Sequence, residues 1–166
     1  CRADQLPFCS PIPEVHAMST RTFEFRLCSS HGAADPASDE LLVEFHADSG
    51  DWQAQHPSLS TPGFRLYLLS LLLCQHFYLV ANAQERAIPL QRVEGTFTVI
   101  TSSDWILEQV NGHFRLTLDP GAPAEELARA DDEAIAFISR RMKLCPVSRN
   151  LPAAVEKAIS LELAEA

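Results

Sequence analysis

Six glycines in 166 residues are few for a chain built wholly of β-strands, and no glycine-rich phosphate loop or hydrolase elbow occurs. Positive charge is also scarce: the net charge of −9 leaves no basic stripe. That balance argues against a nucleic-acid partner and against an anionic membrane surface. The five cysteines, Cys1, Cys9, Cys28, Cys74 and Cys145, are odd in number and lack close repeats, so neither a disulfide scaffold nor a CxxC zinc site is indicated. A reducing, cytoplasmic setting is the resulting expectation. His31, His46, His56 and His113 are scattered without metal-ligand spacing and read as surface or packing residues. No metal and no resident cofactor is expected.

What the chain does have is one long apolar run, Thr61 to Arg86, TPGFRLYLLSLLLCQHFYLVANAQER. Pro62 suits a helix start, and Leu66, Leu68, Leu69, Leu71, Leu72 and Leu73 follow without a turn signal until Asn82. A helix apolar on nearly all sides must be buried. Its length approaches the roughly 20 residues of a membrane span. However, Arg65, Ser70, Gln75 and His76 interrupt it, and no second span or orienting basic flank accompanies it. The reading is therefore a central helix in a core, with no membrane partner.

The rest of the chain forms a wrapping around that helix. Residues 1–19 carry Pro7, Pro11 and Pro13 without periodicity and read as an irregular arm, with Met18 resembling a natural start and no signal-peptide pattern. From 20 to 166 a single domain is expected. TRTFEFRLC alternates, placing Phe23, Phe25 and Leu27 on one face, and LLVEFHA is a second strand pairing with it as a hairpin across the SSHGAADPASDE turn. DSGDWQAQHPSLS reads as a connection. IPLQRVEGTFTVI is a strand with Val93, Phe97 and Val99 in phase, and Asp104 to Leu118 holds one strand, or two about the Asn111-Gly112 hairpin signal. In DPGAPAEELARADDEAIAFISRRMKLC the period changes: Leu127, Ala130, Ala134, Phe137, Ile138 and Met142 mark one amphipathic helix. Its start is acidic, with Asp131, Asp132 and Glu133 on a solvated face, its end is basic, and Pro146 stops it. Ala158, Ser160, Leu161 and Leu163 suggest a closing strand. Strands not separated one by one by helices make the class α+β, with antiparallel sheets around the long helix.

Cys74 and Cys145 fall on different helices. Each can be a small buried hydrophobe. Alternatively, if their Cα atoms approach within about 7 Å, they can form a reversible disulfide. His76 follows Cys74 by two positions and points to another helix face, which disfavours a Cys–His nucleophile pair within one chain and leaves open only a pair brought together by a dimer.

The helix LYLLSLLLCQHFYLVANAQERAIPLQRVEGTFTV and the tail RRMKLCPVSRNL, its MKLCPVSRNL part above all, resemble the OsmC/Ohr family of osmotically induced and organic-hydroperoxide-resistance proteins, over roughly residues 20–163. The resemblance implies an OsmC-like fold and an intertwined homodimer with the cysteines at the subunit interface. It also implies a thiol peroxidase of organic hydroperoxides, Cys74 peroxidatic and Cys145 resolving, regenerated by an external dithiol. Phe64, Tyr67 and Phe77 would favour hydrophobic substrates. The chain departs from the pattern in one respect. Active members carry a glutamate shortly after the proline that opens the central helix, holding an arginine of the N-terminal hairpin over the thiolate. Here Pro62 is followed by Gly63, Phe64 and Arg65, and the hairpin turn offers His31. The activating pair is therefore missing or rebuilt: Arg65 either supplies the charge or, more simply, is a surface arginine at a helix start, and Arg21 and Arg26 lie on the adjacent strand. The alternative function is a non-catalytic relative that binds an apolar ligand in the same interfacial pocket.

Overall fold

The computed structural model describes residues 20–32 and 40–164. The arm expected over residues 1–19, and most of the hairpin turn, lie outside them. The elements in order are β1 (Arg21–Ser30), β2 (Leu41–His46), β3 (Trp52–Ala54), α1 (Gly63–Glu85), β4 (Leu90–Thr101), β5 (Leu107–Leu118), α2 (Ala124–Leu127), α3 (Asp132–Met142), α4 (Pro146–Arg149) and β6 (Glu156–Leu163). Among the described residues the strands form one sheet in the order β3-β2-β1-β4-β5-β6, so the class is α+β.

Alternation sets the two faces of the sheet. Phe25 and Leu27 on β1, Val93, Phe97 and Val99 on β4, and Val110, Phe114 and Leu116 on β5 are all buried. On the solvent face Arg26 pairs with Glu44 at 2.6 Å and Arg115 with Glu162 at 3.0 Å. The helical side of the core is α1, with Leu68, Leu69, Leu71, Leu72 and Leu79 buried, and α3, which turns Ala134, Ile138 and Met142 inward. By length and hydropathy α1 could cross a membrane. Instead it is folded into the core, where it also buries the polar Gln75, His76 and Asn82.

Five sequence expectations need correction. First, of the one strand or two expected over residues 104–118 the chain forms one: β5 runs straight through Asn111-Gly112, which is not a turn. In the β4–β5 register Gly112 faces Phe97 and Gly95 faces Phe114. A Cβ on Gly112 would lie 2.8 Å from Ile159 and 3.1 Å from Phe97, so glycine here makes room for an aromatic neighbour rather than bending the chain. The turn comes earlier, where Ser102 Oγ accepts from the backbone N–H groups of Asp104 and Ile106. Trp105 takes φ 65° in that turn. Second, the connection after β2 contains β3, whose Trp52 packs on His46 with ring centroids 5.0 Å apart.

Third, the second helix is broken into α2 and α3. Asp131 is the cap of α3, its carboxylate accepting from Ala134 N at 2.8 Å, rather than part of a solvated helix face. Fourth, Pro146 opens α4 as its first residue, a position proline tolerates because its missing N–H is not needed there. Fifth, β6 pairs with β5 in parallel, so the sheet is mixed rather than antiparallel. A parallel partner needs a long crossover, and α2, α3 and α4 supply it.

Candidate functional site

The path of α3 over α1 fixes where Cys145 falls. Arg141 Nε donates to Asn82 Oδ1 at 3.0 Å, and the Arg86 guanidinium lies 3.9 Å from the centre of the Phe137 ring. These contacts and the buried Ile138 and Met142 clamp α3 against the C-terminal half of α1. The chain leaves α3 through a tight turn, with Cys145 N donating to Met142 O at 3.1 Å, and Cys145 immediately precedes Pro146. That turn delivers Cys145 to Cys74, and the two form a disulfide with Cα atoms 6.1 Å apart across 71 residues of sequence. Cys145 is wholly buried, whereas Cys74 is half-buried. Cys28 is free.

Two residues further along α1, the helix has turned about 200°, and His76 looks the other way. It faces the sheet, where its Nε2 lies 2.8 Å from Ser29 Oγ. The same hydroxyl lies 2.7 Å from His31 Nε2, and the two imidazole rings stack with centroids 6.2 Å apart. One hydroxyl hydrogen can be given to only one of the two rings, so the other ring must donate its Nε2–H to Oγ. Burial, reinforced by the neighbouring His31, pushes the His76 imidazole down to about 4, so it is neutral near pH 7. This His31–Ser29–His76 cluster was not anticipated, since His31 read as a surface or packing residue. The available signal was the parity of β1: Phe25, Leu27 and Ser29 share the inward face, so a polar side chain at position 29 needs an internal partner.

Within one chain Arg65 does not reach the cysteines. Nine residues of helix place it about 13 Å along the axis from Cys74. Its guanidinium lies 4.3 Å from the Phe45 ring centre. Arg21 lies likewise 4.7 Å from the ring centre of Trp105, and with Phe23 these residues line an open cleft of about 630 Å3. Phe64 and Tyr67 also belong to this end of α1: Phe64 packs edge-on against Phe23 and Trp105, and Tyr67 lies beside it. Phe77 is 66% exposed. Within one chain, then, Phe64, Tyr67 and Phe77 do not enclose a substrate pocket at Cys74. Of the remaining histidines, His46 bonds Glu24 and His113 bonds Ser160. Among the described residues no three His, Cys, Asp or Glu side chains are grouped so as to hold a metal ion.

No protein-family model matches the chain, and no curated protein does. Solved structures do. The chain is similar to an OsmC-like hydroperoxide resistance protein from Jannaschia sp. CCS1 at 14% identity and a TM-score of 0.47, covering 78% of this chain and 86% of that one. It is similar to the organic hydroperoxide resistance protein OsmC of Legionella pneumophila at 17% identity and a TM-score of 0.42, covering 81% and 94%. The organic hydroperoxide resistance protein OhrB of Bacillus subtilis follows at 15% identity and a TM-score of 0.39, covering 82% and 96%.

Proposed function

We propose that this chain is a divergent OsmC/Ohr-like thiol peroxidase acting on organic hydroperoxides in the cytoplasm. The observation that carries the reading is the Cys74–Cys145 disulfide, which joins α1 to the residue before α4. In the proposed cycle the Cys74 thiolate attacks the outer oxygen of the O–O bond, giving a cysteine sulfenic acid and releasing the alcohol. The Cys145 thiol then displaces hydroxide from that sulfur, forming the disulfide and water, and an external dithiol restores both thiols. The half-buried Cys74 suits the attacking role and the enclosed Cys145 the resolving one, because the first must meet substrate and the second only its neighbour.

An intertwined homodimer belongs to the same proposal. The helix α1 is apolar all round, yet Leu66, Tyr67 and Phe77 are 37%, 38% and 66% exposed, and Trp105 and Ile106 add to the uncovered apolar surface. A second copy laid over this surface would exclude water from it and make the site's surroundings apolar, which favours organic hydroperoxides over hydrogen peroxide.

The missing glutamate favours a second reading, a non-catalytic relative that binds an apolar ligand at the dimer interface. Cys74→Ser separates the two. On the peroxidase reading the variant loses consumption of cumene hydroperoxide. Unchanged consumption by that variant leaves the ligand-binding reading.

A further inference from the structure

The chain has only two lysines, Lys143 and Lys157, and both line one recess of about 360 Å3 together with Gln75, Ser148, Ala158 and Ile159. Four elements converge there: Gln75 comes from α1, Lys143 from the end of α3, Ser148 from α4 and Lys157 from β6. Gln75 directly follows Cys74, and Ser148 is three residues beyond Cys145, so the recess adjoins the disulfide in sequence on both sides. In a protein of net charge −9, neither lysine has an acidic partner among the described residues. Lys157 Nζ instead donates to the backbone carbonyl of Ser148 at 3.4 Å, which leaves its other two N–H groups for another acceptor. Gln75 is 1% exposed, and its Oε1 is buried with no hydrogen-bond partner. A buried amide oxygen left unpaired is costly, and natural cores carry few of them.

We propose that this recess is a carboxylate-binding subsite through which an acidic thiol docks to reduce the Cys74–Cys145 disulfide; this rests on the peroxidase reading. Lys143 and Lys157 supply two cations, and the Nε2–H of the Gln75 amide, the donor end that is not sealed in the core, donates to a bound carboxylate oxygen. The recess exists in the oxidised form of the protein. The species that meets this form in a peroxidase cycle is the reductant, since the hydroperoxide meets the thiol. With its carboxylate held, the thiolate of the reductant attacks Cys74 Sγ, which is more open than the enclosed Cys145. The Cys74–Cys145 bond breaks, Cys145 leaves as a thiolate and takes a proton, and a mixed disulfide remains on Cys74. A second thiol attacks the reductant's sulfur, releasing Cys74 as a thiol and leaving with the electron deficit as the reductant's disulfide. Two thiols are oxidised for one protein disulfide reduced.

The test is reduction of the oxidised protein by 3-mercaptopropionate and by 2-mercaptoethanol, followed by quenched alkylation and intact mass, with rates compared per thiolate. The wild type should prefer the acidic thiol. In Lys143→Gln/Lys157→Gln that preference should fall several-fold, up to about tenfold, the order expected when two solvent-exposed charge pairs are lost. Both lysines are exposed, so the variant should fold. Equal rates for the two thiols in the wild type, or an unchanged ratio in the double variant, overturn the subsite and leave the peroxidase reading standing. Failure of hydroperoxide to oxidise Cys74 would instead sink the peroxidase reading, while the thiol ratio would still be measurable on the disulfide form.

Discussion

Acidification should unfold this protein partly through one histidine. His76 is buried, bonded to Ser29 and depressed to about 4 in the folded chain, against 6.5 for a free imidazole. Between those two values the unfolded chain holds a proton on residue 76 that the folded chain lacks. Stability is therefore fully present above about pH 6.5 and falls as the pH drops toward about 4. The slope is about 1.4 kcal/mol per pH unit, and the whole interval amounts to about 3 kcal/mol, a large share of the 5–15 kcal/mol typical of a domain. Urea unfolding of wild type and His76→Gln at fixed protein concentration, from about pH 7 to about pH 4.5, isolates this contribution. Groups remote from the site contribute equally to both proteins, so the difference between them belongs to residue 76 together with His31, which shares the Ser29 hydroxyl with it. The wild type should lose about 2–3 kcal/mol more than the variant over that range. Parallel curves would refute the argument that His76 is buried as a neutral base.

Other consequences concern the scaffold. Reducing the disulfide opens a loop of 71 residues, and chain entropy sets the destabilisation at roughly 4 kcal/mol or less, measurable as a lower urea midpoint in dithiothreitol. Gly112→Ala pushes a methyl into Ile159 and Phe97 and should cost about 1–3 kcal/mol in the same assay, a loss that an equally buried but roomy glycine would not show. Asp131→Ala removes the cap of α3 and should cost about 1 kcal/mol, with no loss if the first turn is held by packing alone.

Local pattern made much of this fold legible. The inward phases of β1 and β4 and the inward face of α3 follow from periodicity, because burial acts on each residue through its place in the local repeat, whereas the span of α1 follows from an apolar run that Pro62 opens and no turn signal breaks. What was not legible depends on partners distant in sequence. Asn111-Gly112 has the composition of a turn, yet Phe97 and Ile159 make it a packing position. The three residues of β3 are too few to show a period, and the direction of β6 is set by the crossover rather than by its own residues. The site divides the same way. Two cysteines on two helices suggested a pair from sequence, and their Cα separation of 6.1 Å is within bonding reach. The His31–Ser29–His76 cluster spans 47 residues and needed the packing of α1 on β1 to appear. The lysines of the recess, 14 residues apart, likewise meet only through the crossover.

If Cys74 and Cys145 form a peroxide-driven couple, stopped-flow oxidation of the fully reduced protein will show it. Cumene hydroperoxide should oxidise the protein faster than hydrogen peroxide does, and peptide mapping of the product should find the Cys74–Cys145 bridge. Slow oxidation at equal rates by both peroxides, spread over Cys28 and the other thiols without that bridge, would rule out a peroxidase couple at Cys74 and Cys145.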